Sequence, residues 1–260
     1  MSVPFDYGKA SAFAQHLARE AGKEILPRFR AGIKVDDKSD SSPVTEADRQ
    51  SEAVMRRLIN KEYASHGIVG EEYGKENENA EFVWVLDPVD GTKSFISGVP
   101  LFTVLVALLH GNKPVLSVIY QPFTNEMWAG AKGAPSTLNG KRISVRSDRP
   151  LTQATMFCTD ESMFEGTDAA AFRSLKSSVK LTRWSTDAYG YALMASGCAD
   201  LVCEADLKLY DFAALVPVVE NAGGVMTDWN GAELTARSDG RVLASSNPRL
   251  HDEALKALNG

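Results

Sequence analysis

Residues 82–92 read Phe-Val-Trp-Val-Leu-Asp-Pro-Val-Asp-Gly-Thr, five apolar positions running straight into two carboxylates, a proline, a glycine and a threonine. The apolar run 82–86 predicts a buried strand. Residues 87–92 predict a loop at the strand's end, rich in hard oxygen ligands and poor in bulk. Such a strand end suits a Mg²⁺ ion held against a phosphate. Asp-Pro-x-Asp-Gly is equally a common turn, so the segment alone leaves both readings open.

The rest of the chain frames that strand. Phe13, Leu17, Ala21 and Ile25 recur at helical spacing over residues 6–26, and a second helix opens at Thr45 with Val54, Leu58 and Ile59 on its buried side. Residues 34–44 and 73–81 are polar and read as loops, on either side of a short strand at 68–69. Further strands are predicted at 102–109, 115–120 and 126–129, then a turn at Asn139-Gly140 and an edge strand over 142–145. The polar stretch 146–153, with Pro150, places a boundary between an N-terminal α+β domain (1–148) and a C-terminal α/β domain (149–260). In the second domain, strands at 154–158, 179–184, 201–204, 225–228 and 241–246 alternate with helices over 167–176, 187–195, 212–222 and 249–258.

Charge and cysteine content narrow the partners. The net charge is -6, from 28 basic and 34 acidic residues, and gives no sign of a nucleic-acid surface. An acidic protein that binds an anion needs local cations, and a metal ion serves. Cys158, Cys198 and Cys203 have no zinc-like spacing with histidine, and an odd count without a signal peptide fits a reducing cytoplasm. The longest apolar stretch, 99–109, is too short to span a bilayer, so no membrane partner is expected. His16, His66, His110 and His251 share no metal spacing and read as structural or surface residues. Trp184 and Trp229 read as core or interface.

Carboxylates recur at element ends: Glu71 and Glu72 after a strand, Asp87 and Asp90 after a strand, Asp48 at a helix start, Asp211 before a helix. Asp87 and Asp90 are three apart, and a tight turn at Pro88 can aim both, with the carbonyl of Val89, at one cavity. Gly91 lets the backbone approach a phosphate closely, and the N–H groups after it can donate to phosphate oxygens. Each residue also has a plainer role. Thr45-x-x-Asp48 matches a helix capping box, Gly70-Glu71-Glu72 an exposed loop, and Asp211 a helix cap. Glu204 beside Asp206 fits a solvated pair.

Taken in order, Thr45-x-Ala47-Asp48, Gly70-Glu71-Glu72, Asp87-Pro88-x-Asp90-Gly91-Thr92-x-x-Phe95 and Tyr210-Asp211-x-Ala213-Ala214, then Glu220-x-Ala222-Gly223-Gly224, resemble the inositol monophosphatase family. Residues 90–102 and 204–224 look most like its histidinol-phosphate phosphatase branch. Tyr210 stands where the family usually has tryptophan, and Asp187 where it usually has a small residue. The resemblance implies a layered α-β-α-β-α sandwich with the active site between its halves, a homodimer, and inhibition by Li⁺. It also implies phosphomonoester hydrolysis by water, with two or three Mg²⁺ ions and no covalent phosphoenzyme. Glu71, Asp87, Asp90, Asp211 and the Val89 carbonyl are then the metal ligands. Thr92 and Asp48, with Glu71, are the catalytic groups around the attacking water, and Gly91 and Thr92 bind phosphate through their N–H groups. Arg183, Asp187 and Glu204 meet the organic part of the substrate, while Lys38 and Glu72 are accessory positions near the outer metal.

The expected substrate is a small phosphorylated metabolite. Histidinol phosphate comes first, because Asp187 and Glu204 can pair with its ammonium and imidazole; an inositol, sugar or nucleotide monophosphate comes second. Haloacid-dehalogenase phosphatases also end an apolar strand in aspartate, but their second aspartate lies two positions on, not three across a proline. A regulatory binding protein on the same fold is the non-enzyme alternative, since fold does not dictate function.

Overall fold

The computed structural model describes residues 5–32, 34–37, 43–146 and 148–260. Helix α1 (Tyr7–Ile25) starts at Asp6, whose carboxylate accepts from the Lys9 N–H at 2.9 Å, and buries Ala10, Ala14, Leu17, Ala21 and Ile25 along one stripe. Strands β1 (Val35–Asp37) and β2 (Pro43–Thr45) pair antiparallel, so the predicted 34–44 loop contains two short strands. Pairing satisfies backbone groups that a polar, pattern-free sequence does not reveal. Helix α2 (Glu46–Glu62) begins immediately after β2.

The first sheet has eight strands in the order β10-β9-β8-β7-β6-β5-β3-β4. They are β3 (Gly67–Gly70), β4 (Gly74–Glu76), β5 (Phe82–Asp90), β6 (Thr103–His110), β7 (Lys113–Gln121), β8 (Glu126–Ala131), β9 (Ala134–Leu138) and β10 (Lys141–Arg142). Among the described residues of this sheet, only the β3–β5 pairing is parallel. The charged loop expected over 73–81 thus includes an edge strand, β4. The edge strand expected at 142–145 is reduced to β10, and β9 is hidden in the sequence because Ala134-Pro135-Ser136 has weak strand preference. Helix α3 (Thr92–Ile96) springs from the end of β5.

The second sheet has the order β12-β11-β13-β15-β14. Its strands are β11 (Thr155–Phe157), β12 (Leu181–Arg183), β13 (Leu201–Glu204), β14 (Val225–Thr227) and β15 (Val242–Ser245), interleaved with α4 (Gly166–Ser178), α5 (Asp187–Ala195), α6 (Leu209–Phe212), α7 (Leu215–Asn221) and α8 (Pro248–Asn259). The single helix expected over 212–222 is two. The break falls at Ala213-Ala214, and Pro217, in the first turn of α7, has no N–H to bond the Ala213 carbonyl four residues back.

Strand alternation sorts these elements into five layers. Trp84, Leu86, Val104, Val106 and Leu108 face α1 and α2, while Val83, Val85, Leu105, Ala107 and Leu109 face the opposite way. That opposite face meets α5 and α7, and the same cluster takes in Val202, Met226, Val242 and Ala244 of the second sheet. The far face of the second sheet, with Met156, Leu201, Cys203 and Leu243, packs on α4 and α8. The order is helix, sheet, helix, sheet, helix, the α-β-α-β-α sandwich that the family resemblance implies.

The segment between the sheets is tied down by an ion pair whose carboxylate is buried. Asp200 is fully buried, accepts a two-pronged contact from Arg146, and takes the Thr155 N–H at 2.7 Å. Arg146 also donates to the Cys198 carbonyl at 3.1 Å. Removing one partner of a buried pair strands the other's charge. Arg146→Ala is expected to lower the unfolding free energy by about 3–5 kcal/mol, read from urea denaturation; a loss below about 1 kcal/mol, the range of exposed pairs, would mean that water reaches Asp200.

Candidate active site

In an unbroken strand, residues three apart point to opposite faces. Asp87 and Asp90 do not, because β5 carries an irregularity between them: Asp87 pairs with Leu105 and Asp90 with Thr103, three steps on one strand against two on the other. Pro88 supplies no N–H to the ladder, and a bulge is where a strand tolerates that. The extra residue turns both carboxylates to one side. Gly91 then takes a left-handed conformation (φ 79°), and a Cβ there would stand 2.6 Å from the Leu101 carbonyl oxygen. Only glycine fits that sharp exit into α3.

Asp211 arrives from the other half of the molecule. It lies inside α6 instead of preceding a helix, and its Oδ2 accepts from the Lys208 N–H at 2.6 Å. Carboxylate oxygens of Asp87, Asp90 and Asp211 all lie within 4.8 Å of one another. Glu71 follows β3 beside them, close enough for its charge to raise Asp87. The buried Val89 carbonyl accepts from Thr92 Oγ1 at 2.9 Å. Asp48 serves two roles at once. Its Oδ2 accepts from the Thr45 N–H (2.8 Å) and Thr45 Oγ1 (2.6 Å), completing the capping box of α2, while Oδ1 stands 3.4 Å from Thr92 Oγ1.

Of these groups, Glu71, Asp90, Thr92 and Asp211 line a cavity of about 330 Å³, together with Gly91, Lys93, Thr159, Asp187, Glu204 and Asp206; Asp48, Asp87 and Val89 sit behind that lining. A larger cleft of about 460 Å³ lies between α4 and α8 beside Trp229, but its one aspartate, Asp168, is paired with Arg241. Asp187 holds a left-handed backbone (φ 45°) at the start of α5, and Asp206 does the same (φ 58°). Such strain in non-glycine residues concentrates at functional sites. Glu204 is buried; its Oε1 accepts from Thr159 N–H (2.9 Å) and Oγ1 (2.5 Å), its Oε2 from Tyr191 Oη (3.0 Å). Asp90 Oδ2 accepts from the Ala188 N–H at 2.9 Å and lies 3.4 Å from Thr103 Oγ1.

Three sequence-chosen positions stand apart. Arg183 is exposed on β12 and does not line the cavity, and Glu72 does not line it either. Lys38 lies outside the described residues. Sequence reading missed Thr159, Tyr191 and Lys93. Thr159 had the same signal as Asp87, a polar residue just past an apolar strand; Tyr191 and Lys93 had none. His251 is buried between Thr227 and Ser245 hydroxyls, a structural role as expected.

Burial, then mutual repulsion, keeps these carboxyls protonated to unusually high pH. Burial and Glu71 push Asp87 well up, burial and Asp187 push Asp90 well up, and burial raises Asp48. Burial lifts Asp211 and Glu204 each to about 7. Burial likewise lifts Asp187 to about 6, against the pull of Lys93 and Ser94. A hard dication relieves this repulsion, and its preferred ligands are carboxylate and carbonyl oxygens. The donor set therefore fits a divalent metal, with Asp87, Asp90 and Asp211 able to hold it.

Such a cluster at a strand end, beside a threonine hydroxyl in a five-layer fold, defines a class of metal-dependent phosphatases acting on small phosphorylated metabolites. The chain belongs to the inositol monophosphatase family, whose sequence profile matches residues 6–260. It is 42% identical over 257 residues to the bifunctional phosphatase IMPL2, chloroplastic, of Arabidopsis thaliana, covering 95% of this chain and 74% of that protein. It is 34% identical over 247 residues to a histidinol-phosphatase of Chlorobaculum parvum, covering 94% and 95%. An inositol monophosphatase structure from Zymomonas mobilis superposes with a TM-score of 0.91 at 40% identity, over 98% of this chain and 100% of that one. Among the described residues no helix is long and apolar enough to cross a membrane.

The raised carboxyls carry a pH signature. Asp211 ordinarily titrates at 3.8 and here at about 7. Between those values the folded chain holds more protons than the unfolded one, so the stability present at acid pH is lost as pH rises through the window. His251, lowered by burial from 6.5 to about 4, works in the opposite sense. In metal-free buffer, Asp211→Asn is expected to lose less stability than the parent protein between pH 4 and 7. Urea unfolding at stepped pH reads the difference, and equal slopes would show that Asp211 titrates like a surface carboxylate.

Proposed function

We propose that the protein is a Mg²⁺-dependent phosphomonoester hydrolase using water as nucleophile, and that its substrate is L-histidinol phosphate. The observation that carries the hydrolase reading is the meeting of Asp87, Asp90 and Asp211 beside the Thr92–Asp48 pair. Glu71, Asp87, Asp90, Asp211 and the Val89 carbonyl would hold two or three ions. Bound there, Mg²⁺ supplies charge neutralisation on the phosphoryl and leaving oxygens and lowers the pKa of water.

The chain's own groups orient the reaction and move its proton. The Thr92 hydroxyl has one hydrogen and two acceptors in reach, Val89 O at 2.9 Å and Asp48 Oδ1 at 3.4 Å. It can pass that hydrogen to Asp48 while taking one from the attacking water. Asp48 Oδ2 stays committed to the helix cap, which fixes Oδ1 toward Thr92, and its raised pKa suits a base. The Gly91 and Thr92 N–H groups hold the phosphate. No side chain in this scheme is phosphorylated.

Asp187 and Glu204 favour histidinol phosphate over a polyol phosphate. Both carboxyls are poised near neutrality, so a cationic substrate draws each toward its charged form, a gain that neutral hydroxyls do not offer. The histidinol-phosphatase relative supports this choice, whereas the Zymomonas mobilis likeness supports inositol phosphate as the second reading. Arg183, exposed on β12, has no part in this scheme. A reducing cytoplasm suits Cys158, Cys198 and Cys203, all free thiols, and a homodimer is the family expectation.

The substrate reading is tested by kcat/KM with Mg²⁺ for L-histidinol phosphate and inositol 1-phosphate, with histidinol phosphate expected to be preferred. A clear preference for the inositol ester overturns it. Thr92→Ala is expected to lower kcat by about 10²- to 10⁴-fold on either substrate. Asp187→Asn should raise KM roughly tenfold for histidinol phosphate and leave the inositol ester nearly unaffected; equal effects on both would remove Asp187 from substrate choice.

A further inference from the structure

Glu52 takes no part in the scheme above, yet it is fully buried one helical turn beyond Asp48 on α2. Spacing of four residues puts both carboxylates on one side of the helix. Asp48 turns to Thr92. Glu52 turns to the loop that carries Glu71. Its Oε2 accepts from the Glu72 N–H at 2.7 Å, and its Oε1 from the Tyr73 N–H at 3.1 Å and Arg56 Nε at 2.7 Å. Arg56 continues to the Gly74 carbonyl and lies 3.5 Å from Glu76.

Gly70 belongs to the same arrangement. A Cβ at position 70 would stand 2.1 Å from Glu52 Oε1. The glycine is needed there for space, since its backbone is an ordinary strand conformation. The Glu71 N–H is meanwhile bonded to the Leu86 carbonyl of β5 at 3.2 Å. Glu71 is thus held from β5 through its own amide and from α2 through the next two amides. Helix α2 thus touches Thr92 and the loop that follows Glu71 through two carboxylates one turn apart.

We propose that Glu52 is a positioning residue: by holding the amides of Glu72 and Tyr73 it aims the Glu71 carboxylate at the Asp87–Asp211 cluster and so sets Mg²⁺ affinity without touching metal or substrate. This rests on the reading of Glu71 as a ligand. Groups that orient a metal's ligands typically change affinity by about 10- to 100-fold when replaced.

The test is Mg²⁺ titration calorimetry on Glu52→Gln, Glu71→Gln and the double variant, with amide hydrogen exchange on the metal-free proteins. Glu52→Gln is expected to weaken the tightest Mg²⁺ site by about tenfold or more and to speed exchange at residues 72 and 73 while residues 83–86 keep their protection. The double variant should bind Mg²⁺ no more weakly than Glu71→Gln alone. An unchanged affinity in Glu52→Gln overturns the proposal, as do losses that multiply within about twofold, the mark of independent sites. Wild-type affinity in Glu71→Gln removes the ligand reading itself; a loss there with intact affinity in Glu52→Gln removes the positioning role alone. Should Glu52→Gln fail to fold, Arg56→Lys, which disturbs the same carboxylate from its other side, is read by the same criteria and gives a smaller, equally non-additive loss.

Discussion

Carboxylates that repel one another are held within 4.8 Å by elements with no freedom to separate. Asp87 and Asp90 are fixed by pairing with β6 on either side of a bulge, and Asp211 is fixed by the short helix α6, which ends before α7 begins. The folded chain thus carries an unfavourable electrostatic interaction that the five-layer packing must outweigh. Relief comes from protons or from a dication, and the two compete for the same oxygens. Metal binding and acid-base behaviour at this site are therefore one property seen in two ways.

Around that cluster, the scaffold uses local structure twice over. The Asp48 carboxylate completes a helix cap with one oxygen and faces Thr92 with the other. The Asp211 carboxylate accepts the N-cap amide of its own helix and faces Asp87 and Asp90. The Val89 carbonyl takes the Thr92 hydroxyl. In each case the bond that stabilises the local backbone also removes the rotational freedom of the reactive group. Such preorganisation lets a site act without reorganising during the reaction.

Much of this was legible in the sequence. The family resemblance carried by the ordered motifs implied the five-layer sandwich, and helix α5 and strand β13 lie at their predicted residues. Capping and catalysis at Asp48 were set against each other as alternatives, although a carboxylate has two oxygens and can serve both. Less was readable where the signal is not local. Strands β1, β2, β4 and β9 are edge or short pairs in polar sequence, and pairing rather than pattern makes them strands. The bulge at Pro88 could be expected from the missing N–H, but its effect on side-chain direction depends on β6. The partners of Glu204 come from Thr159 and Tyr191, 45 and 13 residues away in the chain. No spacing rule reaches across such separations.

The middle layer carries a consequence for how the chain is made. Val83, Val85, Leu105, Ala107 and Leu109 of the first sheet are covered by α5 and α7, which are synthesised roughly a hundred residues later. A nascent chain that has completed its first sheet therefore presents a broad apolar face with nothing yet to cover it. Contacts of such sequence separation make for slow closure, and exposed sheet faces invite association between chains. On the ribosome, the chain itself cannot finish covering that face until residue 221 has emerged.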